Sequence, residues 1–151
     1  MKVPRPKTRW INPKTAYFNL RIGRSSLHRY GIFALDDIPK GRRVIEYTGK
    51  RLTYEQVWKI EYPNDMYLGR VNAHWFVDGS AGGGGAQFIN HSCDPNLSWR
   101  SVRCHLIYFS RRKIQTGEEL TVHYNYPVKL QRVPCHCGAR RCRGTFRYIL
   151  S

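Results

Sequence analysis

The sequence predicts a mainly β domain carrying one short helix, and three observations lead there. Short apolar or aromatic runs recur from Thr15 onward, each broken by Gly, Pro or Asp. A single segment shows helical rather than alternating spacing. The cysteines crowd the C-terminal part of the chain, with all five at or after Cys93.

The runs at residues 17–22, 30–35, 44–48, 66–71 and 75–78 have the length and the aromatic and β-branched content of strands. Further strands are expected at 97–103, 105–109 and 119–125, with a turn at Thr116-Gly117 before the last. The exception is Thr53-Tyr54-Glu55-Gln56, which offers a capping box. Tyr54, Val57, Trp58, Glu61 and Tyr62 then recur at helical spacing until Pro63 stops them. Gly82-Gly83-Gly84-Gly85 has the composition of a linker, yet the dense string Ala86-Gln87-Phe88-Ile89-Asn90-His91-Ser92-Cys93 follows at once, and a boundary there would strand it. Residues 1–14 hold three prolines and five Lys/Arg without apolar periodicity and read as a flexible basic arm.

At 151 residues and 17.8 kDa the chain is long enough for one domain with its own core. Its 41% hydrophobic and 13% aromatic content exceeds that of disordered chains. No run approaches the roughly 18 apolar residues of a membrane span, so a soluble domain without a membrane partner is expected. The 26 Lys+Arg outweigh 10 Asp+Glu, and a formal charge of +16 suits nucleic acid or another acidic partner. The opening Met1-Lys2-Val3-Pro4-Arg5-Pro6 lacks the apolar stretch of a secretory leader. Together with clustered rather than dispersed cysteines, this points to a reducing, intracellular setting.

Cys135-His136-Cys137-Gly138-Ala139-Arg140-Arg141-Cys142 is the strongest local signal. Three thiolates so close would repel one another unless a cation held them, and structural zinc takes four ligands. Cys93, Cys104, His91 and His136 are the donors available for the fourth position. Cys93 is favoured because Asn90-His91-Ser92-Cys93-Asp94-Pro95-Asn96 reads as a constrained turn. Cys104, inside an apolar run, reads as a buried thiol. The glycine run lacks the Lys-Ser/Thr of a phosphate cradle, and no G-x-S-x-G elbow is present, which argues against nucleotide-phosphate and serine-hydrolase chemistry.

Taken in order, these strings resemble the SET-domain protein lysine methyltransferases, from about Thr15 to the C-terminus. Arg29-Tyr30-Gly31-Ile32-Phe33-Ala34 resembles the family's first glycine motif, and Val44-Ile45-Glu46-Tyr47-Thr48-Gly49 its next strand. Phe88-Ile89-Asn90-His91-Ser92-Cys93-Asp94-Pro95-Asn96 resembles its signature. Gly117-Glu118-Glu119-Leu120-Thr121-Val122-His123-Tyr124 resembles its closing motif, and the cysteine cluster its zinc-binding post-SET tail.

The resemblance implies a SET-domain fold of several small β-sheets with a C-terminal pseudoknot, divided into an N-terminal arm (1–14), the SET domain (15–126) and the post-SET segment (127–151). It implies S-adenosylmethionine as methyl donor and structural Zn2+ on Cys93, Cys135, Cys137 and Cys142. Arg29, Tyr30, Gly31, Gln87, Asn90, His91, Tyr124 and Phe146 would surround the donor. Tyr124 and Tyr67 would be the catalytic pair, with Tyr67, Val122 and Tyr126 lining the channel for the substrate lysine. Tyrosines suit such a channel, since their rings exclude water and face a cation while their hydroxyls add no charge that would favour the ammonium form. The implied substrate is a basic protein, histone-like or otherwise DNA-associated, and non-specific nucleic acid contact fits the charge. That places the chain in the nucleus on chromatin in a eukaryote, or in the cytoplasm and nucleoid of a microbe. Glu55, Glu61 and Asp65 offer a seat for a basic peptide.

The sequence also departs from the family pattern. Arg29 stands where the first glycine of G-x-G usually lies, Gly84 where Asn is common, Gln87 where Arg is common, and His123 where Asp is usual. Val122 occupies a position where Phe or Tyr often limits the number of methyl groups, and the smaller side chain suggests di- or trimethylation.

Overall fold

The computed structural model describes residues 9–59, 67–124 and 133–146. In chain order its first strands are β1 (Leu20–Arg24), β2 (Tyr30–Ala34), β3 (Arg43–Tyr47) and β4 (Lys50–Thr53), followed by the helix α1 (Tyr54–Lys59). Then come β5 (Leu68–Arg70), β6 (Trp75–Asp78), a 3-10 turn (Ala86–Phe88), β7 (Asn90–His91), β8 (Leu97–Val102), β9 (His105–Ser110) and β10 (Glu119–Val122). The tail adds β11 (Val133–Pro134) and β12 (Thr145–Phe146). The architecture is the expected one, mainly β with several small sheets and one short helix.

Four sheets are described, in the orders β1-β2-β10-β7, β3-β9-β8, β4-β6-β5 and β11-β12. In the first, β10 lies antiparallel to β2, with Leu120 opposite Ile32, and parallel to β7, with Thr121 opposite Asn90. This pairing sets the signature string beside the closing strand, as a pseudoknotted arrangement requires. Alternation along the strands sends Ile32, Ala34, Ile45, Leu106, Tyr108, Leu120 and Val122 into one core. A smaller core of Leu52, Val57, Leu68 and Phe76 lies under α1.

The capping box forms as the sequence predicts. The Thr53 N–H donates to Gln56 Oε1 at 2.8 Å, and the Gln56 N–H donates to Thr53 Oγ1 at 3.2 Å. Residues 60–66, which include Glu61, Tyr62, Pro63 and Asp65, lie outside the described residues.

A buried side chain completes the strand crossing. Asn96 is 3% exposed and acts as a strand mimic against β10. Its Oδ1 accepts the Thr121 N–H, its Nδ2 donates to the Glu119 carbonyl, and its own N–H donates to Thr121 Oγ1.

Three expectations are corrected. Over residues 9–14 the arm is folded onto the domain rather than free: the Asn12 N–H donates to the Gly84 carbonyl at 2.9 Å, and Ile11 packs on the main core. The glycine run is a close-packed turn rather than a linker. A Cβ on Gly83 would meet the Gly79 carbonyl oxygen at 2.2 Å and the Gln87 amide at 2.7 Å, so the backbone can wrap that buried side chain only without one. Cys104 is exposed, because Arg103 and Cys104 form the two-residue turn between β8 and β9, with φ of 49° and 62°. Among the described residues no helix is long and apolar enough to cross a membrane.

Two substitutions separate these contributions. Asn96→Ala removes the partners of the buried Thr121 N–H and the part-buried Glu119 carbonyl and is expected to cost about 3 kcal/mol, whereas Thr53→Ala, which removes one exposed cap, is expected to cost about 1 kcal/mol. Urea unfolding followed by tryptophan fluorescence measures both, and equal costs would contradict the role given to Asn96.

Candidate functional site

A cleft of about 270 Å³ opens where the start of β2, the signature string, the end of β10 and the C-terminal tail meet. Beneath its floor, polar groups tie the 25–30 loop to β10. Glu119 Oε1 accepts from Ser25 Oγ and from Asn90 Nδ2, both at 2.8 Å. Asn90 Nδ2 also donates to the Tyr30 carbonyl at 2.8 Å, and Ser25 Oγ accepts the Leu27 N–H at 2.9 Å. Gly31 is required by this network: a Cβ there would come within 2.1 Å of Glu119 Oε1. Arg29 holds φ of 40°, the left-handed region that glycine occupies without penalty.

Most of the residues proposed for the donor reach this cleft. Arg29, Tyr30, Gln87, Asn90, His91, Tyr124 and Phe146 all border it. Gly31 does not, since its contacts are with Glu119 beneath the floor. Gln87 reaches it with a committed side chain, its Oε1 accepting the Gly85 N–H at 2.8 Å. The guanidinium of Arg9 stands 4.2 Å from the Tyr30 ring centre, a cation–π contact from the N-terminal stretch.

Tyr124, two residues beyond β10, is held at both ends. Its N–H donates to His91 Nδ1 at 2.9 Å, and its hydroxyl donates to the Ile89 carbonyl at 2.6 Å. Phe146 of β12 packs against both rings, tilted on His91 with centres 4.6 Å apart and edge-on to Tyr124 at 5.9 Å. Burial pushes the His91 pKa down to about 4, so the ring is neutral at pH 7. Burial likewise lowers His123, the residue in place of the usual Asp.

Tyr67 borders the same cleft, its ring edge-on to Phe88 and its carbonyl accepting the Tyr47 hydroxyl at 2.5 Å. Val122 is buried and lines a separate cavity of about 20 Å³, together with Trp99, Tyr108 and Tyr124. Tyr124 therefore borders both spaces. Tyr126 lies outside the described residues.

The sulfurs of Cys93, Cys135, Cys137 and Cys142 all lie within 4.8 Å of one another. Cys104, His91 and His136 are not members of this group. A tetrahedral site with Zn–S bonds of about 2.3 Å separates its sulfurs by about 3.8 Å, and Cys93 Sγ lies 3.8 Å from Cys135 Sγ. Backbone donors point at the sulfurs: the Cys93 N–H at Cys137, the Arg143 N–H at Cys93 and the Gly144 N–H at Cys142. The Cys137 thiol, although burial alone would raise its pKa, is held down to about 6 by the Cys93 and Ala139 N–H groups and the neighbouring thiols. Burial pushes Cys93 and Cys135 up. Burial thus opposes the thiolate at Cys93 and Cys135, and a cation is what would hold the four as thiolates. The donor set fits zinc.

Sequence reasoning missed Ser25, Leu27 and His28 on the loop, and the organising role of Glu119. An acid in a motif whose neighbours alternate between faces signals little until β10 is known to pack against β2.

Comparison with known proteins follows this geometry. The family model described as SET domain matches residues 29–125. A Schizosaccharomyces pombe protein named "Histone-lysine N-methyltransferase, H3 lysine-4 specific" is 38% identical over 135 residues, covering 83% of this chain and 15% of the relative. Histone-lysine N-methyltransferase trithorax of Drosophila virilis is 37% identical over 131 residues, covering 81% of this chain and 3% of the relative. The chain thus spans a small part of these relatives' length. Among solved structures, the methyltransferase domain of human histone-lysine N-methyltransferase SETMAR superposes with a TM-score of 0.77 at 26% identity, covering 91% of this chain and 61% of that one. KRYPTONITE in complex with mCHH DNA, H3(1-15) peptide and SAH gives 0.72 at 27% identity, covering 87% of this chain and 30% of that one. The match to the family model, over well more than half of the chain, settles the kinship: this chain belongs to the SET domain family.

Proposed function

We propose that the protein is an S-adenosylmethionine-dependent protein lysine N-methyltransferase, with Tyr124 and Tyr67 as its catalytic tyrosines. The observation that carries this reading is the placement of Tyr124, fixed at its backbone and its hydroxyl and bordering both the large cleft and the smaller cavity. The cleft lining suits an adenosyl donor, combining the rings of Tyr30, His91 and Phe146 with the polar side chains of Asn90 and Gln87. When bound, S-adenosylmethionine supplies an electrophilic methyl group on a sulfonium.

The chain's own part is to align, desolvate and keep the amine neutral. Alignment of donor and acceptor can account for most of the rate in a one-step displacement. A lysine with a pKa near 10.4 must lose its proton, and an aromatic, water-poor channel disfavours its charged form. With its proton committed to the Ile89 carbonyl, the Tyr124 oxygen can act toward an incoming amine only as an acceptor. That orients the nitrogen without supplying a counter-charge.

The cysteines would hold structural zinc, which four thiolates leave without an open position for water. The substrate class is histone or another basic DNA-associated protein, with H3 tail lysines the first to examine. A relative named as H3 lysine-4 specific and a neighbour solved with an H3(1-15) peptide support that choice. A net charge of +16 opposes capture of a free basic tail but favours one presented on DNA, where phosphate contacts add sequence-independent affinity. The setting that follows is chromatin.

Three outcomes are expected. Zinc-loaded protein given radiolabelled S-adenosylmethionine and nucleosomes should label lysine, and Tyr124→Phe should lower the rate by about a hundredfold or more; label that persists in the variant would remove Tyr124 from catalysis. Mass spectra of the product should show di- and trimethyl-lysine, with Val122→Phe shifting the distribution toward monomethyl; a wild-type product that stops at one methyl group would contradict the role given to Val122. Chelation of the metal should abolish turnover, and full activity after verified metal removal would refute the structural role of the cysteines.

A further inference from the structure

Two parts of the molecule that the reaction needs are far apart in sequence but joined through one imidazole. His91 Nδ1 accepts the Tyr124 backbone N–H at 2.9 Å. A ring nitrogen that accepts carries no proton, so the ring proton resides on Nε2. That nitrogen lies 3.5 Å from Cys93 Sγ, within reach of an N–H···S bond. The same ring stacks at 4.6 Å on Phe146, four residues beyond Cys142. A metal-bound thiolate is a stronger acceptor than a thiol, so loading the cysteines would strengthen the Nε2 bond and fix the ring that positions Tyr124.

We propose that His91 is a positioning residue that couples the cysteine metal centre to the catalytic tyrosine, its Nε2–H held by Cys93 and its Nδ1 holding the Tyr124 backbone. The inference rests on the reading that the four cysteines bind metal. It assigns the imidazole side chain a task beyond bordering the cleft, and it makes tail closure and placement of the phenol a single event.

Two isosteric variants take the two bonds apart. In His91→Asn the amide oxygen can replace Nδ1 as acceptor for Tyr124 but nothing reaches Cys93. In His91→Gln the amide N–H can replace Nε2 toward Cys93 while the Nδ1 acceptor is lost. The full-length chain and both variants are loaded with cobalt(II), whose thiolate charge-transfer band reports the site, and metal affinity is read by competition with a chromophoric chelator. Methyl transfer to nucleosomes is measured at saturating donor. His91→Asn is expected to weaken metal binding about tenfold and, even at saturating metal and donor, to lower kcat severalfold, because the side chain that holds Tyr124 is no longer fixed by Cys93. His91→Gln is expected to retain metal binding and lower kcat about tenfold or more, with the nucleosome KM little changed. Unaltered metal affinity in His91→Asn, a wild-type kcat in metal-saturated His91→Asn, or a wild-type kcat in His91→Gln would overturn the coupling. Absence of a cobalt–thiolate band in the wild-type protein would instead overturn the metal reading, and the coupling with it. Should the variants not fold, nitrogen-15 shifts of His91 in the metal-loaded wild-type protein decide: an Nε2-protonated ring is expected, and an Nδ1-protonated ring overturns the proposal.

Discussion

The structure depends on one short strand occupying the space between two others. β10 is antiparallel to β2 on one edge and parallel to β7 on the other, and the two partners share no backbone ladder with each other. Because β10 is only four residues long, its backbone pairing is supplemented by side chains. Asn96 imitates a strand along Glu119 to Thr121, and Glu119 reaches back to Ser25 and Asn90. Two walls of the cleft, the 25–30 loop and the signature string, are tied to this strand. Gly31, which gives up a side chain so that the Glu119 carboxylate can approach, shows how closely the loop, the strand and the signature are fitted.

A second constraint acts on the tail. The two strands of β11 and β12 contribute only two residues each, too little to fix the C-terminal segment by pairing alone. What secures it is contact with the signature string, through Cys93 among the other sulfurs and through Phe146 on His91. The segment that completes the cleft thus meets the signature string at the four-sulfur cluster, while its Phe146 ring contacts both His91 and Tyr124. With zinc on the cysteines, as proposed, binding free energy there would become ordering free energy for the cleft.

Much of this was legible in the residues. The strand runs and the Thr53–Gln56 capping box are local signals, and they carry over into the structure because local geometry decides them. The four cysteines were readable because thiolates at that spacing have few stable uses. Other features depend on partners distant in sequence. Four consecutive glycines have the same composition in a linker and in a turn, and only the Gln87 side chain inside the turn decides between them. Cys104 was misread because the Arg103-Cys104 turn lacks the glycine or asparagine that usually marks positive φ. The N-terminal stretch looked free because its partners, the Gly84 carbonyl and the Tyr30 ring, are supplied by the fold. The Glu119 network likewise exists only once β10 has been placed.

The central claim is that the cleft becomes a donor site when the tail is fastened over it. Isothermal titration of S-adenosylhomocysteine into the full chain, with zinc bound and after its removal, tests this directly. The account predicts one saturable site in the zinc-loaded protein and loss of that binding when zinc is removed, with recovery on its return. Absence of binding to the zinc-loaded protein, or affinity that is unchanged without the metal, would contradict it.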